Sequence, residues 1–209
     1  DTATYERNRE AADAENKYIL SCMNTGKLCI FTNDGKMHQI KAMDIPFGKF
    51  RDKGLPIDNI SNYDSTKEQI AYICDSEQLR FAKLLFVTKQ GMVKKVEGAE
   101  FQVAKRTIAA TKLQEGDEIA AVDVVTDNQH IVLQSKEGYF LRFPAEEVPE
   151  KKKGAVGVRG MKLKKKDELA HAYLLEEGAD AKAMHGEKEV ALSRLKIAKR
   201  DGTGTKTRV

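Results

Sequence analysis

Cysteine, histidine and tryptophan are scarce in this sequence of 209 residues, which has three cysteines, four histidines and no tryptophan. The cysteines, at positions 22, 29 and 74, are odd in number and form no C-x-x-C pair, which argues against a disulfide framework and a zinc site. Apolar runs are much shorter than the roughly 20 residues that cross a bilayer. We therefore expect no disulfide scaffold, no metal centre and no membrane segment, in a protein of the cytoplasm.

Catalytic motifs are also missing from the sequence. It contains no P-loop, no G-x-S-x-G and no H-E-x-x-H pattern. The acidic pairs Glu146-Glu147 and Glu176-Glu177 are interpreted as surface charges rather than acid-base couples. We therefore expect no catalytic residue and no cofactor in this chain. Because it opens on Asp1 without a methionine or a signal-peptide pattern, we also expect that it was cut out of a longer polypeptide.

Charge is abundant but unevenly distributed along the chain. Charged residues make up 33% and hydrophobic residues 41%, as in a soluble globular protein, and the net charge is only +4. Residues 149–166, "PEKKKGAVGVRGMKLKKK", carry eight basic residues and one acidic residue, and residues 194–209 carry six and one. Segregation of this kind suits a surface that binds a polyanion, since each Lys or Arg that meets a phosphate releases condensed counterions. A single run of this kind would more simply be a solvated surface.

An internal repeat of about fifty residues gives these basic runs a common position. Each copy has an apolar run, a hydroxyl residue, two polar residues, a glycine and a second apolar run, which is the pattern of a β-hairpin. The hairpin glycines are Gly35, Gly91 and Gly138, and we expect each to adopt a positive φ. The three hairpin segments are "LCIFTNDGKMHQI" (28–40), "LLFVTKQGMVKKV" (84–96) and "IVLQSKEGYFLRF" (131–143).

The repeat continues beyond each hairpin in the same register. An acidic and an apolar residue follow the glycine by nine and ten positions, as at Glu100-Phe101 and Glu147-Val148. A basic, glycine-containing stretch comes next, and a weaker fourth copy around Gly186 ends in one as well. A chance charge run would not recur in register. We name these segments the first (47–54), second (102–107), third (150–160) and fourth (199–206) basic stretches.

The repeat predicts an all-β fold of about four four-stranded blades, because a unit of this size cannot bury its apolar face alone. The predicted repeats are approximately 28–78, 84–126, 131–175 and 181–209 within a domain over 18–209. The segment "YILSCM" (18–23) is predicted to be a strand that completes the last blade and closes the disc. A polar, helix-like segment, "YERNREAADAENK" (5–17), is predicted within a lead-in over 1–17.

These residues resemble the C-terminal domain of the A subunit of bacterial type IIA topoisomerases, DNA gyrase and topoisomerase IV. The resemblance spans 27–209 and is most specific at "LLFVTKQGMVKKV", "GYFLRFPAEEVP" and "GVRGMKL". It implies a β-pinwheel, a propeller-like disc whose blades exchange strands and whose basic rim binds and bends duplex DNA. It also implies upstream catalytic domains that hold the active tyrosine, and a B-type partner that carries the ATPase.

The basic stretches, together with Lys162 and Lys164 just after the third, supply the predicted DNA contacts. Since these residues lie beside glycines rather than on a recognition helix, we expect phosphate contacts without base specificity. The expected contacts are Lys49, Arg51, Lys53, Lys105, Arg106, Lys151, Lys152, Lys153, Arg159, Lys162, Lys164, Lys199, Arg200 and Lys206.

One departure from the family pattern bears on function. The first basic stretch reads "FGKFRDKG" where gyrase carries its QRRGGKG box, so the resemblance favours a topoisomerase IV-like enzyme or a weakly wrapping gyrase. The alternative function is a protein-interaction propeller that does not bind DNA. Exposed aromatic residues would favour that alternative, but aromatics are only 7% of the chain and are mostly inside the strand patterns.

Overall fold

The computed structural model describes residues 2–207. It begins with one long helix, α1 (Thr2–Glu15), which confirms the helix predicted near the start of the chain. A single turn of helix, α2 (Ser76–Leu79), interrupts the strands that follow. Within the described residues, no helix is both long and apolar enough to cross a membrane.

Short strands form the rest of the fold. They are β1 (Lys27–Thr32), β2 (Lys36–Lys41), β3 (Ile70–Asp75), β4 (Lys83–Thr88), β5 (Met92–Glu97), β6 (Thr107–Ala109), β7 (Ile119–Val125), β8 (His130–Ser135), β9 (Tyr139–Pro144), β10 (Val158–Arg159), β11 (Leu169–Leu175), β12 (Lys182–His185), β13 (Lys188–Ala191) and β14 (Thr205–Lys206).

Each predicted hairpin forms, and its turn residues explain the sequence pattern. In the β4–β5 hairpin, Gly91 has a φ of +85°, and Gly35 and Gly138 have φ values of +81° and +88°. The Thr88 hydroxyl accepts a hydrogen bond from the Met92 N–H at 3.1 Å. The repeated hydroxyl residue therefore closes the turn that the repeated glycine allows.

Neighbouring units exchange strands, which gives the pinwheel its connectivity. Three antiparallel sheets have the strand orders β3-β1-β2-β6, β10-β5-β4-β7 and β11-β8-β9-β14. In each, the strand beside the second hairpin strand comes from the following unit. The backbone of that unit also reaches the hairpin glycine, since the Gly160 N–H donates to the Gly91 carbonyl at 2.7 Å. The all-β pinwheel fold is thus confirmed.

The fourth unit differs from its prediction. Among residues 2–207 its sheet contains two strands, β12 and β13, rather than four. The strand predicted over 18–23 does not form, and this segment packs on the first blade instead of the last. The Tyr18 hydroxyl donates to the Ala71 carbonyl at 3.3 Å, and its ring makes an edge contact with Tyr72 of β3. Isolated side-chain contacts, rather than a ladder of backbone hydrogen bonds, hold the segment.

The core lies between neighbouring sheets. Between the first two blades, Phe31, Phe86 and Phe101 form a buried cluster whose ring centroids lie 5.2 to 5.9 Å apart. A second cluster, which includes Val87 and Leu133, joins the second and third blades. Burial of these faces stabilises the stack of blades by roughly 25 cal/mol per Å² of apolar surface. The basic stretches are consequently left at the junctions between blades.

Candidate nucleic-acid interface

Strand exchange fixes where each basic stretch lies. The second, third and fourth stretches run into β6, β10 and β14, which pair with the hairpins of the preceding blades. Gly157 in the third stretch shows how closely the chains approach, because a Cβ on it would lie 2.3 Å from the Val93 carbonyl oxygen. The glycines among the lysines therefore allow backbone packing, and the lysines project from a segment that is held in place.

The side chain of the repeated acidic residue binds a backbone N–H of the next basic stretch. The Glu100 carboxylate accepts from the Lys153 N–H at 3.2 Å, and the Glu147 carboxylate accepts from the Arg200 N–H at 3.1 Å. Both acids lie in short 3-10 helices that follow a hairpin. A carboxylate that caps a backbone N–H makes a charge-assisted hydrogen bond. Each of these blades thus carries the anchor for the basic stretch of the following blade.

Most of the predicted contacts are exposed. Two of them are half-buried and donate to backbone carbonyls: the Lys153 ammonium to Glu100 at 3.2 Å, and the Arg200 guanidinium to Glu147 at 3.0 Å and to Arg159 at 2.7 Å. Lys153 and Arg200 therefore act mainly by holding the stretches in position, and their charges are less accessible to a ligand. The exposed residues are Lys49, Arg51, Lys53, Lys105, Arg106, Lys151, Lys152, Arg159, Lys162, Lys164, Lys199 and Lys206.

Arg159 is exposed but already holds an anion. Its guanidinium forms two hydrogen bonds with the Asp201 carboxylate, which lies in the fourth basic stretch. These bonds raise the pKa of Arg159 and lower the pKa of Asp201. A phosphate at this position would have to replace or share Asp201, so Arg159 contributes less free charge than the sequence predicts.

The third and fourth basic stretches form one continuous surface. The Lys162 N–H donates to the Gly202 carbonyl at 2.8 Å, and the Asp201 N–H donates to the Gly160 carbonyl at 2.9 Å. Further along, the ammonium groups of Lys164 and Lys206 lie 5.9 and 5.6 Å from the centre of the Tyr139 ring. Positive charges from two units therefore share one face.

The first basic stretch is built differently from the others. It forms turns but no strand, and the Asp52 carboxylate closes its turn by accepting from the Lys49 N–H at 2.6 Å. Phe47 is 98% exposed and Phe50 is 48% exposed, between the basic side chains. The expectation that aromatic residues lie mostly inside strands fails for this stretch, where the chain presents basic and apolar groups together.

The sequence did not predict the residues that hold the basic stretches from below. Lys94 in β5 donates to carbonyls of the third stretch, and Gln39 in β2 donates to the Val103 and Lys105 carbonyls at 2.9 and 2.6 Å. Both side chains are buried, at 2% and 4% exposure. The sequence did contain one indication, a lysine within the apolar strand "MVKKV". Because a lysine is rarely buried without a partner, its presence there indicates a specific contact.

Comparison with known proteins identifies the repeat. Residues 82–126 and 129–176 match the model of a family described as "DNA gyrase C-terminal domain, beta-propeller". The chain is 35% identical over 168 residues to the gyrase A protein of Lawsonia intracellularis, and 37% identical over 155 residues to that of Chlamydia pneumoniae. The matches cover 79% and 73% of this chain but 20% and 19% of those proteins. The chain thus spans about a fifth of the length of these relatives.

Solved structures share the fold. The C-terminal domain of a DNA topoisomerase IV superposes with a TM-score of 0.81 at 24% identity, over 95% of this chain and 66% of that one. A DNA gyrase A C-terminal domain superposes with a TM-score of 0.67 at 25% identity, over 88% and 60%. The family match and the gyrase A relatives confirm the resemblance, and the solved structures confirm the fold: the chain belongs to the family of DNA gyrase C-terminal domains.

Proposed function

We propose that this chain binds duplex DNA without base specificity and bends it along the surface formed by its basic stretches. The observation that supports the proposal most strongly is the repeated position of those stretches. Each follows a hairpin at nearly the same interval, and the third and fourth are held by a carboxylate and by strand exchange with the preceding blade. Rigidly held cations at a regular spacing can contact successive phosphates of a curved duplex.

The form of the contacts favours phosphate over base recognition. The exposed lysines and arginines lie on turns and short strands, and α1, the one long helix described, is polar and carries none of the predicted contacts. Sequence readout in the major groove commonly needs a helix or a ribbon that enters the groove. The proposed surface instead lies against the backbone, which fixes position but not sequence.

In this proposal the domain serves an enzyme whose chemistry lies elsewhere. It presents DNA to the catalytic domains upstream in the same polypeptide, in an ATP-dependent type IIA topoisomerase with a B-type ATPase partner, in the bacterial cytoplasm. The domain itself contributes positioning and charge, without a cofactor.

Equal binding to unrelated sequences is the test of this function. Two duplexes of equal length and unrelated sequence are titrated with the chain at low salt, and fluorescence anisotropy gives the two Kd values. We expect values within about threefold of each other, because phosphate geometry varies little with sequence. Failure to bind either duplex at low salt would contradict the proposal.

The exposed phenylalanines of the first basic stretch favour a second function, binding of another protein. Phe47, Phe50 and Leu55, which lie close together in the sequence, are exposed by 98%, 48% and 54%. Aromatic anchors of this kind are enriched in protein interfaces. Replacing Phe47 and Phe50 with serine distinguishes the two functions, since DNA affinity should persist while binding to a protein partner should be lost.

A further inference from the structure

Lys94 is buried at the base of the third basic stretch, where backbone carbonyls rather than a paired carboxylate contact its ammonium group. Its side chain is 2% exposed, and its ammonium group donates to the carbonyls of Lys152, Lys153 and Ala155 at 3.1, 3.1 and 2.7 Å. The Phe86 ring covers it, with the centroid 5.5 Å from Nζ. Among residues 2–207 its hydrogen bonds go to these carbonyls, and the Glu100 carboxylate acts on it electrostatically, which favours the charged form.

Burial of a charge is costly unless hydrogen bonds compensate, so an unpaired buried lysine indicates a specific role. Three carbonyls use all three N–H donors of the ammonium group. These carbonyls belong to the segment that carries Lys151 and Lys152, both of which are exposed. An apolar residue at position 94 would leave these three carbonyls without their donors, so that fewer contacts, among them those of Glu100 and the exchanged strand, would still hold the segment.

We propose that Lys94 positions the third basic stretch for contact with DNA phosphates, by drawing three of its carbonyls inward so that Lys151 and Lys152 point outward. This inference rests on the proposed function, because it assigns a role within the same surface. Lys94 itself lies beneath the stretch and is a positioning residue rather than a DNA contact.

The first blade carries a related arrangement, which supports the assignment. Gln39, one position further along its hairpin strand, donates from one amide group to the Val103 and Lys105 carbonyls of the second basic stretch. A buried donor on one blade thus holds the basic stretch of the next blade at two junctions. The use of glutamine at one of them shows that donors to carbonyls, rather than a buried charge as such, are what the junctions share.

Because Lys94 is ionisable, its hydrogen bonds to the third basic stretch depend on pH. Burial lowers the pKa of Lys94 to about 8, and the nearby Glu100 carboxylate acts in the opposite direction. Other charged residues around it are Lys112 and Asp117, which line the same small cavity, and Lys152 and Lys153 in the stretch itself. A neutral amine has two N–H donors, so deprotonation releases one carbonyl.

Binding of DNA phosphates nearby favours the protonated form. Affinity should therefore be complete at pH 7 and should fall as the pH rises through about 8, by up to roughly tenfold at pH 9. The sign follows from the direction of the shift, since the charged form that binds best is lost above the lowered pKa.

A double-mutant cycle tests the proposal in the whole chain. The variants are Lys94→Met, the loop variant Lys151→Ala/Lys152→Ala and their combination. The charge-matched control is Lys89→Met. Lys89 lies in the turn of the same hairpin as Lys94, its ammonium group pairs with the Glu118 carboxylate at 2.6 Å, and it is not among the proposed contacts. Anisotropy with a fixed duplex gives Kd as a function of salt and pH. Hydrogen exchange reports the order of residues 150–160.

We expect Lys94→Met to lower affinity about as much as the loop variant does, to reduce the salt slope by about two, and to abolish the pH dependence near 8. In the loop variant, the same substitution should change affinity by less than about twofold. Exchange in 150–160 should accelerate in Lys94→Met and remain unchanged in Lys89→Met, whose affinity should stay within about twofold of the original.

Several outcomes would overturn the inference. One is an affinity loss of equal size in the original and the loop-variant backgrounds, which would show that Lys94 acts on overall stability. Another is unchanged exchange and unchanged affinity in Lys94→Met. If that variant does not fold, Lys94→Gln keeps donors to the carbonyls and should bind DNA without the pH dependence; its failure to bind would count equally against the inference. If the original chain does not bind DNA at all, the proposed function fails first.

Discussion

At the scale of single residues, the fold of each unit depends on positions that only glycine fits. Gly91 combines a φ of +85° with a close approach of the next unit, because a Cβ on it would lie 2.9 Å from the Met161 carbonyl oxygen. Gly178 has a similar φ of +73° but nothing within 4 Å of the same point. The two glycines therefore separate the cost of the backbone conformation from the cost of the contact.

We predict that Gly91→Ala costs at least about 2 kcal/mol of unfolding free energy and that Gly178→Ala costs about 1 kcal/mol. Both substitutions place a Cβ on a residue with a left-handed φ, but only the first also presses that Cβ against the backbone of the following unit. Urea denaturation of both variants measures the difference. Equal costs at the two positions would show that strand exchange does not constrain Gly91.

The sequence predicted the turn glycines well, because a positive φ leaves a strong local signal. It did not predict the roles of Lys94 or Glu100, which depend on a carbonyl or an N–H more than fifty residues away. Glu100 was recognised as part of the repeat, but its partner could not be inferred without the strand exchange. Local pattern therefore revealed which positions matter, while only the fold revealed what they contact.

At the scale of elements, the second, third and fourth basic stretches each combine an irregular segment with the exchanged strand that it leads into. The third and fourth stretches meet edge to edge, and the ion pair between Arg159 and Asp201 closes the seam. Asp201 adopts a φ of +72°, a conformation that asparagine tolerates as well as aspartate does. Its carboxylate occupies the guanidinium of Arg159, one of the proposed DNA contacts.

We predict that Asp201→Asn increases affinity for duplex DNA about threefold and steepens the salt slope by about one, because Arg159 becomes available to a phosphate. Anisotropy titrations over a range of salt measure both quantities. Asp180→Asn is the control, since it removes the same charge from an exposed position outside the basic stretches and should change affinity less. A loss of affinity in Asp201→Asn would contradict this prediction. It would mean that the ion pair is needed to hold the binding surface in shape, rather than competing with a phosphate for Arg159.

The sequence pattern predicted some elements correctly and one wrongly. The hairpins were predicted correctly, since alternating apolar runs around a glycine are a strong signal. The segment 18–23 was wrongly predicted as a strand, although its side chains do make contacts. Tyr18 and Cys22 bond to Ala71 and Asp75 along β3 through side chains. A short apolar run does not reveal whether its backbone will pair, and here it does not.

At the scale of the whole molecule, the units are equivalent in plan but not in the arrangement of their charges. The third and fourth basic stretches are joined by backbone hydrogen bonds into one surface, whereas the first is a separate segment whose turn is closed by Asp52. Bending a site of 20–30 base pairs by 40–90° costs about 1–6 kcal/mol, which phosphate contacts along the curve must offset. A surface with its strongest contacts in two adjacent units favours a bend over an extended wrap.

We therefore predict that the domain bends DNA but does not strongly trap a chiral wrap. A nicked plasmid is relaxed with the domain bound, ligated and deproteinised, and its linking number is read from a gel. Little or no shift per bound domain is expected. A large positive shift would mean that the first basic stretch supports wrapping despite Asp52.

The salt dependence of duplex binding, measured for the chain and for the Lys151→Ala/Lys152→Ala variant, tests the central claim most directly. If about six phosphates are contacted at once, log Kd should rise with log salt concentration with a slope of about 5 or more. The variant should reduce that slope by about two, with the same loss on unrelated sequences, because two exposed phosphate contacts are removed. An affinity that does not depend on salt, or a slope that the variant leaves unchanged, would show that the repeated basic stretches are solvated surface rather than the DNA-binding face.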